Sequence, residues 1–204
     1  MMLEHRGQRP QVHPSAVVAP TAVVCGDVAI GPDTHVAFGA VLVAEGAPLV
    51  VGARCVVREH ALLRSTAGHP LRVGDHVLIG PHAALTGCTI EDEAFLATGV
   101  SIFHDARVGR AAEVRINGVV HVRTVLPAGG LVPIGWVAVG DPARILPPSA
   151  HDEIWAVLRP LNFPALAYGL ERRADGTVDM REVTRRVTTG LAEHRNDRVL
   201  PEPE

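Results

Sequence analysis

Aliphatic residues recur along this chain with a period of six. Stepping by six from Val12 gives Val18, Val24, Ile30, Val36 and Leu42, every one aliphatic. The step resumes at Val51, Val57 and Leu63, and again at Val73, Ile79 and Leu85. A last register runs from Ile90 through Leu96, Ile102, Val108, Val114, Val120 and Leu126 to Val132. A strand repeats every two residues and a helix every 3.6, so a strict six belongs to neither alone. Three short strands joined by turns, each sending one aliphatic inward, satisfy it and close a triangular coil. The 20 inward positions, at three per coil, predict an all-β, parallel β-helix of about seven coils.

The residues two before these positions are small: Ala16, Ala22, Val28, Thr34, Ala40, Ala61, Ala83, Ala94 and Ala112. Gly31, Gly52, Gly74, Gly80 and Gly109 each follow an inward aliphatic, where a turn without a Cβ constraint is expected. Aromatic residues make up only 3% of the 204, as suits stacked identical layers of small β-branched side chains. A net charge of -3 leaves no basic footprint for nucleic acid. The start, Met1-Met2-Leu3-Glu4-His5-Arg6, lacks the apolar stretch of a signal peptide. No run reaches the roughly eighteen apolar residues of a membrane span. These readings predict a cytoplasmic protein with no membrane partner. Cys25, Cys55 and Cys88 have no CxxC pairing and are expected to be buried free thiols.

The repeat is interrupted at residues 43–50 and 64–72, and slips by one residue at Thr86-Gly87-Cys88. Insertions in a repeat map to loops, so these three are expected to stack along one edge of the prism. After Val132 the period fails at Pro133-Ile134-Gly135-Trp136. Ser149 is placed to cap a helix reaching about Leu158, with Asp152 and Glu153 in its first turn. A second helix is expected from Met180 to His194, its Val183, Val187 and Leu191 stripe lying on a prism face or a neighbouring subunit. The expected organisation is a β-helix over 12–146, a C-terminal helical segment over 147–195, and a flexible tail over 196–204.

The motifs His13-Pro14-Ser15, Gly26-Asp27-Val28, Gly39-Ala40-Val41-Leu42, Val73-Gly74-Asp75, Gly87-Cys88-Thr89-Ile90 and Val139-Gly140-Asp141-Pro142-Ala143-Arg144 resemble those of γ-class carbonic anhydrases, a hexapeptide-repeat family. The resemblance covers about Val12 to Arg144. It implies a left-handed coil, a homotrimer, and interfacial active sites whose metal is held by three histidines. Those histidines fall at a fixed spacing, the second seventeen residues after the first and the third five beyond that. In this sequence the matching positions are Arg64, Pro81 and Thr86. Arginine is a permanent cation and proline has no side-chain donor, so the usual metal site is expected to be absent. Two acidic positions survive as Glu45 and Glu59, and arginines stand at Arg58 and Arg64.

An interfacial pocket of Glu45, Arg58, Glu59, Arg64, His82 and Thr86 is therefore expected. It would either knit a trimer together by salt bridges or grip a small anion through arginine's planar fork. No cofactor is expected, and zinc or another divalent metal only if histidines such as His60, His69, His82, His104 or His121 rebuild a site. His104 and His121 repeat the seventeen-residue gap, but position 126 is Leu. Without a metal the hydration of carbon dioxide is expected to be negligible. The alternatives are a hexapeptide-repeat acyltransferase, an active carbonic-anhydrase-like enzyme with a rebuilt metal site, or a non-catalytic assembly protein.

Overall fold

A computed structural model describes residues 1–201. Each coil contributes one short strand to each of three parallel sheets, and the chain winds as a left-handed parallel β-helix. Two faces hold seven strands each. The third, called here the long face, holds ten. Two of those ten are antiparallel end strands, which leaves eight parallel rungs: Met2–Glu4, Val23–Cys25, Val41–Glu45, Leu62–Thr66, Ala84–Thr86, Ser101–Ile102, Val119–Val120 and Val137–Val139.

The six-residue register sets the core. On the long face Leu42, Leu63, Leu85, Ile102 and Val120 stack in register, each at most 1% exposed. Ile30, Val51, Val73, Ile90, Val108 and Leu126 stack likewise on the second face, as do Val36, Val57, Ile79, Leu96, Val114 and Val132 on the third, all at most 3% exposed. Burying one such side chain contributes about 1.5–3 kcal/mol, repeated at every layer. The small partners Ala22, Ala40, Ala61, Ala83, Ala94 and Ala112 are also buried. Thr34, like Thr124, is a buried polar residue at such a position. Its hydroxyl donates to the Gly52 carbonyl at 2.7 Å and accepts from the Cys55 N–H at 3.0 Å, so the buried polar group is satisfied.

The structure corrects four details. Gly31, Gly52 and Gly74 have ordinary φ values; a Cβ on Gly31 would sit 2.7 Å from the Gly52 carbonyl, and one on Gly52 2.6 Å from the Gly74 carbonyl oxygen. Close approach between rungs, not turn freedom, selects glycine there. The left-handed residues of these turns are non-glycine, among them Asp33, Arg54 and His76. The period does not end at Val132, since Ala138, six further on, is buried in the last rung. The prism also gains a first rung, Met2–Glu4, ahead of Val12.

The interruptions at 43–50, 64–72 and 86–88 all lie on the edge joining the long and second faces, as expected. Helix α1 spans His151–Leu158, but its N-cap is Ala150, which has no side-chain hydrogen bond; Ser149 is not the cap. Helix α2, Phe163–Tyr168, was not anticipated. Helix α3, Met180–Leu191, is capped by Asp179, whose carboxylate accepts from the N–H groups of Arg181 and Glu182. On its stripe Val183 is buried, while Val187 and Leu191 remain exposed. Beyond the turn Ala192–Asn196, the expected flexible tail instead forms the strand Arg198–Val199, antiparallel to Met2–Glu4. Residues 202–204 of that tail lie outside the described residues. The two ends of the described chain are thus paired. No described helix is long and apolar enough to cross a membrane.

Candidate functional site

The six expected pocket residues occupy two corners of the long face. Arg64 and Thr86 are register partners on adjacent rungs, and Glu45 faces Thr66 on the rung before. The Arg64 Nε lies 3.6 Å from a Glu45 carboxylate oxygen; it is buried and has no hydrogen-bond partner. Arg58, Glu59 and His82 sit at the opposite corner, before the strand Leu62–Thr66 begins. That strand of five residues, roughly 13 Å long at about 3.3 Å per residue, runs from that corner past Arg64, its third residue, to the end that faces Glu45.

At this opposite corner Arg58 binds its neighbour Glu59, Nε to Oε2 at 3.0 Å, and the guanidinium holds the Glu59 carboxyl below its usual range. His82 stacks on His60 with ring centroids 5.3 Å apart. The turn residues there form a ladder, each backbone carbonyl accepting an N–H from the next rung: Phe38 from His60, Glu59 from His82, Pro81 from Gly99, Thr98 from Asn117 and Ile116 from Gly135. Ile116 and Ile134, on adjacent rungs of this corner, are 45% and 65% exposed, and Phe38, 58% exposed, lies farther along it beyond Thr98, Pro81 and Glu59.

The histidines considered for a rebuilt metal site include two contacting pairs, His60 with His82 and His69 with His104. His69 pairs with Asp105 at 2.7 Å and meets His104 edge to face. His104 and His121 are both held below the usual imidazole range by burial, His104 also by the nearby His69. His121 stacks on Phe103, and its Nδ1 accepts the Val122 N–H at 2.8 Å.

Among the described residues, one group of His, Cys, Asp or Glu side chains brings at least three ligand atoms within 4.8 Å of one another, and it contains none of those histidines. Its members are His5, Cys25, His194 and Asp197. One Asp197 oxygen lies 2.6 Å from the His5 Nδ1, and the other 2.7 Å from the His194 Nδ1. The Cys25 thiol is 3.5 Å from Asp197. The two imidazoles stack at 4.3 Å. Burial, then the charge of Asp197, pushes the Cys25 thiol up to about 12. Burial alone would raise the Asp197 carboxyl, yet its hydrogen bonds to His194 and His5 carry it below the ordinary range. Cys25 is a buried free thiol, as are Cys55 and Cys88; its carboxylate and imidazole neighbours were not foreseen.

The strand pairing explains this convergence. Leu3 is the register partner of Cys25 on one side and of Val199 on the other, which draws the flanking His5 and Asp197 to one spot. The ion pairs of Arg6 with Glu193 and of Glu4 with Arg9 and Arg198 surround it. His194 Nε2 is also 3.9 Å from Glu45, the residue that faces Arg64, so this cluster and the Arg64 corner are neighbours.

Fold and site together define a hexapeptide-repeat prism with polar clusters at its corners. No protein-family model matches the chain. It is 34% identical over 151 residues to a mitochondrial γ carbonic anhydrase of Arabidopsis thaliana, covering 71% of this chain and 53% of that protein. It is 29% identical over 109 residues to the carbonic anhydrase of Geobacillus kaustophilus, covering 53% of this chain and 60% of that one. The chain spans about half the length of the plant relatives it matches. The solved structure of a UDP-N-acetylglucosamine acyltransferase from Bacteroides fragilis superposes with a TM-score of 0.55 over 67% of this chain and 71% of that one; at 14% identity this bears on the fold alone. The chain is a γ-carbonic-anhydrase-like hexapeptide-repeat protein.

Proposed function

We propose that this protein is a homotrimeric relative of the γ carbonic anhydrases in which an arginine-centred pocket for a small anion stands where the family's metal site would be, and that it does not hydrate carbon dioxide. The observation that carries this reading is Arg64: its Nε is buried without a hydrogen-bond partner, and the register partner of Arg64 is Thr86. A guanidinium repels a dication and offers paired donors to bicarbonate or phosphate. Pro81 brings no donor, so the residues at the three aligned positions do not fit a metal. Hydration at neutral pH needs a bound metal to bring the pKa of water from about 15.7 to near 7, and these side chains cannot substitute for it.

Trimerisation belongs to the same reading. Arg58, Glu59 and His82 lie across the strand from Arg64, so a pocket holding all six needs two chains. The exposed pair Ile116 and Ile134, with Phe38 farther along the same corner, is suited to burial against another copy.

Thermal unfolding in bicarbonate or phosphate tests the proposal. The midpoint should rise with anion concentration as mass action requires, and Arg64→Ala should abolish the rise while light scattering still reports a trimer. A wild-type midpoint that ignores anions, or a trimer that falls apart in Arg64→Ala, would make Arg64 a structural ion-pair residue instead.

A further inference from the structure

The geometry points to a second, separate site: His5, Cys25, His194 and Asp197 bind a divalent transition ion of the zinc class, which clasps the C-terminal segment to the first coils. The four come from three distant parts of the chain, yet their ligand atoms lie within 4.8 Å of one another. A thiolate, two imidazoles and a carboxylate are the donor types that zinc takes, and four of them fill a closed, structural site. The charges match as well. One thiolate and one carboxylate neutralise a dication, leaving two neutral rings and no net charge in a place where His5 is 3% and Asp197 10% exposed.

Ligands about 2.0–2.3 Å from zinc lie roughly 3.3–3.8 Å from each other, and the Cys25–Asp197 separation of 3.5 Å falls in that range. The two His–Asp separations are of hydrogen-bond length, so the entering ion takes the place of protons on these groups and of the thiol proton, and binding releases protons. The site is distinct from the aligned positions Arg64, Pro81 and Thr86 and uses none of them. Its role is mechanical. Residues 194 and 197 follow α3, so the ion ties that helix to the N-terminal rung and, through Glu45, borders the Arg64 corner.

The test uses the full-length chain under reducing conditions, stripped with a chelator and titrated with zinc. One zinc per chain should survive gel filtration and raise the unfolding midpoint. Cys25→Ser, His194→Gln and Asp197→Asn should each weaken zinc by at least tenfold, the effect of an outer-shell change alone. Cobalt(II) in the wild-type chain should show tetrahedral d–d bands and a thiolate charge-transfer band, which Cys25→Ser removes. The cobalt spectrum decides the matter even if a variant fails to fold. Overturning results are no retained zinc and an unmoved midpoint, which leaves a hydrogen-bonded clasp only, or cobalt bound without a thiolate band. Zinc that persists in the three variants but disappears in His60→Gln would likewise refute the assignment.

Discussion

The two corners of the long face are made by different logics. The corner of Phe38, Glu59, Pro81 and His82 is periodic: each rung adds one turn residue above the last, and the side chains face outward. The corner of His5, Cys25 and Asp197 is aperiodic, built where both ends of the described chain are added to the prism, and its side chains face each other. The periodic corner is a surface that can repeat along the prism and meet another copy. The aperiodic one happens once and fastens the chain to itself. A repeat supplies surfaces; its ends supply singular polar chemistry.

The largest effect should come from the strand that joins the corners. Leu63→Ala empties a fully buried position between Leu42 and Leu85 and should cost about 2–5 kcal/mol in denaturant unfolding, loosening both corners at once. Next is Gly52→Ala, whose new Cβ meets the Gly74 carbonyl; a loss of roughly 1–3 kcal/mol is expected although the φ is ordinary. At the clasp, Asp197→Ala leaves the buried His5 without its partner. It should cost about 1–3 kcal/mol and raise amide exchange in Arg198–Val199 while the periodic corner stays protected.

Acid should act on the edge that joins the long and second faces. His104 and His121 are depressed by burial, so the unfolded chain binds protons that the folded chain refuses. Stability should be full above the unfolded value near 6.5 and fall as pH drops below it, down to the lowered folded values. Replacing both histidines with Gln should flatten that part of the profile. The smallest effect belongs to Arg58→Ala. Its pair with Glu59 is exposed, and unfolding of the single chain should hardly change, whereas the sedimentation of the assembly should.

The sequence made the periodic half legible because burial in a coil depends on position modulo six. Every inward aliphatic from Val24 onward is buried, and the three interruptions share an edge because a loop cannot enter a stacked core. What it concealed depends on contacts between distant segments. His5 read as part of a featureless start and Asp197 as tail, and only the antiparallel pairing of Leu3 with Val199 makes them neighbours. No period links positions 5, 25, 194 and 197. Helix α2 is a single short segment around Pro164, below the length at which an apolar stripe can be read. The glycines were legible as necessary but not for the right reason, because the distance between rungs is invisible in a one-dimensional pattern.

If Arg64 stands where a metal would, as proposed, the long face does not hydrate carbon dioxide. Stopped-flow hydration of carbon dioxide by the zinc-loaded full-length chain tests it most directly. The uncatalysed rate is expected, unchanged whether zinc is loaded, removed or blocked by Cys25→Ser. Catalysed hydration that disappears with the metal would contradict it.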